Sequence, residues 1–159
     1  MSAVESAMTE SSVPRRWLSF NLAGESYAID LARIHEVVRL TEMAHVPGAA
    51  EEMLGLVSLR GAILGVLDGR RRLHLDSHVE GDNALRRLVV LSTETGEQVA
   101  LLVDAVHDVI ERAVTDLLPP PARQGWGINE IVQAVLVVDE EFIAILDVDR
   151  LCRWRPDND

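Results

Sequence analysis

The chain has 159 residues, 48% hydrophobic and only 4% aromatic, with a formal net charge of −11 at pH 7. That length suits one compact unit or two small ones sharing a core, and the core must be built of Val, Leu, Ile and Ala. The charge argues against nucleic acid and against an anionic membrane surface, since both ask for a basic face.

Cys152 is the single cysteine, so no internal disulfide can form, as expected in a reducing compartment. With Leu151 and Trp154 close by in the chain, it reads as a small buried apolar residue and not as a reactive thiol. The N-terminus lacks a basic segment followed by an apolar one, and no apolar run is long enough to span a bilayer. The expectation is a soluble cytoplasmic protein.

Residues 1–14 are small, polar and acidic and read as a disordered lead-in ending at Pro14. Trp17 to Leu22 alternates as a strand, Ala23-Gly24-Glu25 turns, and Ser26 to Ile29 returns. Asp30 is placed to cap a short helix over Leu31 to Val37, with Ile34, Val37 and Val38 on one face and the helix-to-strand boundary near Glu36 left open. Val46-Pro47-Gly48 breaks the chain, and Ala49 to Met53 is read as one helical turn. Leu54 to Leu59 and Ala62 to Leu67 form a hairpin about Arg60-Gly61. Asp68 caps a helix running to Leu73, and the polar residues 76–84 connect the two halves.

In the second half Leu85 to Leu91 and Gln98 to Val103 are the strongest strand candidates, followed by Val106 to Ile110 and Ala113 to Leu117. Pro119 to Asn129 reads as a loop. Ile131 to Val138 and Phe142 to Ile145 flank an acidic turn at Asp139-Glu140-Glu141, and Asp147 caps a final helix, Val148 to Trp154. Many short strands with regular turn signals predict an all-β barrel or sandwich.

The two halves resemble each other. Gly24-Glu25 followed by Ile34-His35-Glu36-Val37 is matched by Gly96-Glu97 followed by Val106-His107-Asp108-Val109. Each half closes on a hairpin and then Leu67-Asp68 with Arg71, or Leu146-Asp147 with Arg150. Two similar subdomains make a seam, and seams are where binding modules hold partners.

No catalytic arrangement stands out, and no enzyme, cofactor or metal site is expected. Asp68 and Asp147 each follow a strand and precede a helix, which is the place of a capping acid and not of a catalytic pair. A barrel hydrolase using them remains the competing reading from another class, and a nucleic-acid-binding barrel is disfavoured by charge. His74 and His78 have i, i+4 spacing but no third ligand, and Gly125-Trp126-Gly127 lacks the form of a phosphate loop. Arg70-Arg71-Arg72 and Arg86-Arg87 read as solvated clusters balancing nearby acids. Arg60 stands apart: a rigid fork of donors at a tight turn in an apolar hairpin, with Glu36 as the nearest acid in the same half.

These residues carry a resemblance. Tyr27-Ala28-Ile29-Asp30 with Ile34 and Glu36, then Val46-Pro47-Gly48, Leu54-Gly55-Leu56-Val57-Ser58-Leu59-Arg60-Gly61, Val66-Leu67-Asp68, and Val103-Asp104 with Val106 and Asp108-Val109 are similar to the CheW family of chemotaxis coupling proteins. The resemblance spans about residues 15 to 154. It implies two small five-stranded β-barrels packed on a shared hydrophobic interface, with short helices including one at the C-terminus: a first barrel over about 15–75, a second over about 85–146, and a helix over 147–154. It also implies a non-enzymatic adaptor, joining the cytoplasmic tip of chemoreceptors to the regulatory domain of a CheA-type histidine kinase. Such an adaptor is cytoplasmic and recruited to membrane-associated receptor arrays. The implied contact residues are Ile34, Glu36, Gly55 and Arg60. Leu88, Val106 and Val109 either line the receptor groove or support it. Glu36 and Arg60 are expected to form an ion pair. Gly65, Ser58 and Gly69 depart from the common family pattern at proline, asparagine and leucine positions. An adaptor of a paralogous pathway (pilus motility, biofilm or development) is the alternative. The final helix argues for a single-domain protein and not a fragment.

Overall fold

A computed structural model describes residues 13–40, 42–45, 47–48, 53–75, 83–120 and 130–153. The expected N-terminal tail up to residue 12, the helical turn over 49–52, most of the connector and most of the Pro119–Asn129 loop lie outside these residues, as do Val46, His78 and Trp154.

The described residues form ten strands: β1 (Pro14–Leu22), β2 (Glu25–Asp30), β3 (Ile34–Arg39), β4 (Met53–Leu59), β5 (Ala62–Asp68), β6 (Arg87–Ser92), β7 (Gln98–Val103), β8 (Ala105–Ala113), β9 (Val132–Val138) and β10 (Glu141–Leu146). Two short helices follow the hairpins, α1 (Gly69–Arg72) after β5 and α2 (Val148–Cys152) after β10. Asp68 and Asp147 cap them as the sequence predicts, accepting from the Arg70 amide at 3.0 Å and the Arg150 amide at 3.1 Å.

The strands make two five-stranded sheets, ordered β8-β1-β2-β10-β9 and β3-β6-β7-β5-β4. Renaming β1–β5 as β6–β10, and the reverse, converts one order into the other, so the duplication read from the sequence is present in the topology. The sheets do not, however, divide as 15–75 and 85–146. The β1–β2 hairpin of the N-terminal half sits between β8 and β10, and the β6–β7 hairpin of the C-terminal half sits between β3 and β5. Sequence patterning shows which segments are strands. Partner choice depends on which apolar faces meet, which the pattern of a single strand does not record.

Nor are the sheets closed barrels. Among the described residues each is drawn toward closure by a single bridge, made by chain just beyond one edge strand to the opposite edge. Ala44, after β3, exchanges backbone hydrogen bonds with Leu56 of β4 at 2.9 and 2.8 Å. Leu118, after β8, does the same with Val135 of β9 at 2.8 and 2.9 Å.

Three apolar clusters result. Trp17, Ala28, Ile110, Leu136 and Ile145 fill the concave side of the first sheet, and Val57, Leu64, Val66, Leu88 and Leu102 that of the second. Between the sheets lies the largest cluster, with Phe20, Leu22, Ile29, Val89, Leu91, Leu101, Leu146 and Leu151. The strands β6 and β7 send alternate residues into two clusters, Leu88 and Val90 one way, Val89 and Leu91 the other. Both faces are buried, so these segments read as unbroken apolar runs.

Three expectations are corrected. The helix over Leu31 to Val37 is a 3-10 turn, Leu31–Arg33, with Asp30 capping the Ala32 amide at 2.9 Å. From Ile34 the chain is strand, because β-branched Ile34, Val37 and Val38 pair along β6. With a bulge between Ile34 and Glu36, Val37, opposite Val89, lies on the same side as Ile34, opposite Leu91, and faces away from Val38, opposite Leu88. Ala113 to Leu117 is the end of β8 and a 3-10 turn, Val114–Asp116, and not a strand. Leu85 belongs to a 3-10 turn, and β6 begins at Arg87.

Candidate functional site

The hairpin singled out in the sequence carries a backbone peculiarity. Arg60 has φ of 50° and Gly61 φ of 82°, the left-handed pair that a two-residue hairpin turn needs. Glycine adopts this conformation freely, but arginine pays about 1 kcal/mol or more for it. The side chain meanwhile is 79% exposed and gains nothing from burial. The turn itself requires this φ, as it does of Ala23 at 51° in the β1–β2 turn, so any role of Arg60 rests on what its side chain bonds.

That side chain bonds Glu36. Arg60 Nε lies 3.1 and 3.2 Å from the two carboxylate oxygens of Glu36, and Nη2 lies 3.1 Å from Oε1. The expected ion pair is therefore present. Because β3 and the β4–β5 hairpin stand at opposite edges of the second sheet, the pair spans the mouth left between those edges. Gly55, buried on β4, allows the same edges to approach: a Cβ there would lie 2.4 Å from the Ala44 carbonyl oxygen. Exposed Val37 on β3 and Ile63 on β5 supply apolar surface on the same two edge elements.

The remaining implied contacts separate by depth. Ile34 and Val106 are half-buried and pack against the central cluster. Val109 is 51% exposed on β8, in the other sheet. Leu88 is wholly buried in the second sheet's concave cluster, so of lining a groove and supporting one, only support is open to it.

The first sheet's equivalent mouth has different chemistry. Its counterparts of Glu36 and Arg60 are Asp108 and Asp139, both acidic, and with Glu141, His107 and Ser26 they line an open cleft of about 330 Å³. Asp139 and Glu140 hold the same left-handed turn, at φ of 51° and 67°.

The reading of Arg70 to Arg72 as a solvated cluster holds for Arg71, exposed and 3.5 Å from Asp68, and is overturned for Arg70 and Arg72. Arg70 is 6% exposed; its Nε lies 3.0 Å from both oxygens of Asp104 and its Nη2 lies 2.7 Å from Oδ2. Arg72 donates to the carbonyls of Leu151 at 2.9 Å and Arg150 at 3.0 Å, tying α1 to the end of α2. A matching pair joins Arg33 to Asp149, at 3.1 and 2.6 Å. The hydrogen bonds from Arg33 hold the Asp149 carboxyl below its ordinary range, and Asp149 in turn raises the Arg33 guanidinium. Of these four residues only Arg70 and Asp149 hold equivalent positions in the two halves, each two residues after the capping aspartate, so no local pattern signals the pairs.

Elsewhere burial is the main cause of raised values. It pushes the Tyr27 hydroxyl up, with help from Glu25, and pushes the Cys152 thiol up to about 12. Among the described residues no group of acidic, histidine and cysteine side chains has a metal-binding arrangement. No helix among them is long and apolar enough to cross a membrane.

Two interlocked five-stranded sheets around a shared core, with an ion-paired mouth at one end, define an all-β scaffold of duplicated topology. The chain belongs to the CheW-like domain family, which matches residues 16–155. It is similar to the chemotaxis protein CheW of Rhizobium meliloti, 24% identical over 135 residues covering 85% of each chain. Against CheW of Treponema pallidum it is 27% identical over 137 residues, covering 84% of this chain and 79% of that one. The crystal structure of the scaffolding protein TtCheW from Thermoanaerobacter tengcongensis matches with a TM-score of 0.80 at 29% identity, covering 87% of this chain and 88% of that one.

Proposed function

We propose that this protein is a non-enzymatic cytoplasmic adaptor that couples chemoreceptor tips to the regulatory domain of a CheA-type histidine kinase within a membrane-associated array. The reading rests first on family membership. The observation that carries it is the Glu36–Arg60 pair, held in place by the Arg60-Gly61 turn. A receptor tip is a helical hairpin, and an amphipathic helix asks for apolar surface with a few polar anchors. Val37 and Ile63 offer the first and Arg60 the second. Ile34, Val106 and Leu88 support the surface from beneath, Gly55 keeps its edges together, and Val109 offers apolar surface on the other sheet. Control of the kinase then comes from holding two partners in fixed geometry.

Pull-down from cytoplasm plus membranes, with wild type and Arg60→Glu as baits, tests this reading. The expected result is co-purification of a CheA-type kinase and a chemoreceptor by wild type, with the receptor lost in the variant. Retention of both partners by the variant would remove Arg60 from the site. Capture of neither by wild type would remove the coupling role.

A further inference from the structure

The two seam ion pairs have a polarity that the duplication does not require. Arg33 directly precedes β3 and Asp104 directly precedes β8, neighbouring places one position apart when Ile34 is aligned with Val106. Arg70 and Asp149 occupy equivalent places in α1 and α2. Each entry residue bonds the helix residue of the other half: Arg33 to Asp149, and Asp104 to Arg70. Neighbouring contacts repeat as well. Arg33 Nε donates to the Ser92 carbonyl at 3.0 Å, and the Asp104 amide donates to the carbonyl of Asn21, the equivalent residue, at 3.0 Å. Yet both arginines belong to the N-terminal half and both aspartates to the C-terminal half.

We propose that this polarity is a pairing code, which makes the N-terminal half accept only a C-terminal half as its interlocking partner. Hydrophobic burial is non-directional, and the two halves offer similar faces of Val, Leu, Ile and Ala. Nothing in that apolar matching forbids two copies of the chain from interlocking N-terminal half with N-terminal half. The charges forbid it. Such an arrangement sets Arg33 of one copy against Arg70 of the other, and joining two C-terminal halves sets Asp104 against Asp149. Like charges set against each other there repel, most strongly at the place of Arg70 and Asp104, whose side chains are 7% and 17% exposed. The backbone adds to this: the Ala23 amide in the β1–β2 turn donates to Asp104 at 2.8 Å, an acceptor that only a C-terminal half supplies. The occupant selected against is thus the like half of a second copy of this chain, and the device excludes like-with-like dimers of a self-similar sequence while it folds.

The test uses the full chain refolded from urea over a range of protein concentrations, with size-exclusion chromatography and light scattering as the readout. Arg70→Asp/Asp104→Arg keeps both intramolecular pairs but sets opposite charges against each other in like-with-like assembly. Arg33→Asp/Asp149→Arg does the same from the other seam. The fourfold exchange Arg33→Asp/Arg70→Asp/Asp104→Arg/Asp149→Arg inverts the charges while preserving their exclusion, at the loss of the acceptors of the Ala23 and Glu94 amides. Wild type and the fourfold variant are expected to refold as monomer in equal proportion, and either twofold variant to form dimer about tenfold more. Twofold variants that match wild type would overturn the proposal. So would a fourfold variant that dimerises as the twofold ones do, because dimerisation would then follow from perturbation alone. Failure of both twofold variants to fold would also overturn it, since the code makes each pair invertible by itself.

Discussion

Replacing Gly55 by alanine isolates what holds the second sheet's edges together. Its φ is not in the left-handed region, so alanine has no backbone objection, and elsewhere such a change gains about 0.4–1 kcal/mol from the unfolded chain. Here the added Cβ would sit 2.4 Å from the Ala44 carbonyl oxygen and 3.2 Å from its carbon, both backbone atoms that cannot swing aside. Relief requires Ala44 to withdraw, which breaks the two hydrogen bonds it shares with Leu56. At roughly 0.5–1.5 kcal/mol each these come to about 1–3 kcal/mol, which against the gain of about 0.4–1 kcal/mol leaves a net loss of about 0–2.6 kcal/mol, with its middle at about 1. For a chain of this size a loss of about 1 kcal/mol lowers Tm by about 2–4 °C. Gly65→Ala is the internal control. Its Cβ would meet only the Met53 methyl at 2.9 Å, the far end of a flexible side chain beside an open cleft of about 240 Å³. Thermal and urea unfolding should therefore rank Gly55→Ala below wild type and Gly65→Ala level with it or above. Amide exchange at Ala44 and Leu56 should quicken only in the first variant. Equal stability of the two variants would refute the reasoning.

Other outcomes follow from the same structure. Because Arg60 is so exposed, Arg60→Asn should change stability by less than about 1 kcal/mol in urea unfolding, the lost surface ion pair being offset by a residue better suited to the turn. Leu88→Ala should cost about 2–5 kcal/mol by the same measurement, as a cavity in a packed core does. Asp149 is held below its ordinary value of 3.8, so its contribution is fully present above that pH and is lost as pH falls through the depressed value. Acid titration of Asp149→Asn should lack that part of the pH dependence. Cys152, with its thiol pushed up to about 12, should resist iodoacetamide in the native protein at neutral pH and react once urea unfolds it.

The residues that sequence reading placed well are those whose signal is local. Asp68 and Asp147 cap helices because the acceptor and the free amides lie within the same few residues. The Arg60-Gly61 turn and the β6 and β7 runs were likewise legible from turn chemistry and apolar continuity. The segment after Asp30 was misjudged for the opposite reason. Its cap signal is real, but the pairing of Ile34 to Arg39 with β6 begins one turn later and overrides helix. Arg70 was misjudged because burial of a charge depends on Asp104, a residue far along the chain and in the other half. The Glu36–Arg60 pair was legible only through the family resemblance. Spacing alone gives no reason for β3 to stand across a mouth from the β4–β5 hairpin.

The sequence by itself determined that the protein is acidic, strand-rich and duplicated, because composition, alternation and turn residues are properties of short stretches. It also determined where the chain turns, since glycine and the capping acids act on their own neighbours. Tertiary structure decided which hairpin lies between which strands, that both sheets are shared by both halves, and that four charges of the seam pair across them. Those outcomes depend on faces meeting and charges being desolvated together, and no local pattern encodes either. The seam and the mouth are therefore products of the assembled fold, built from residues that, read singly, look like ordinary surface charges.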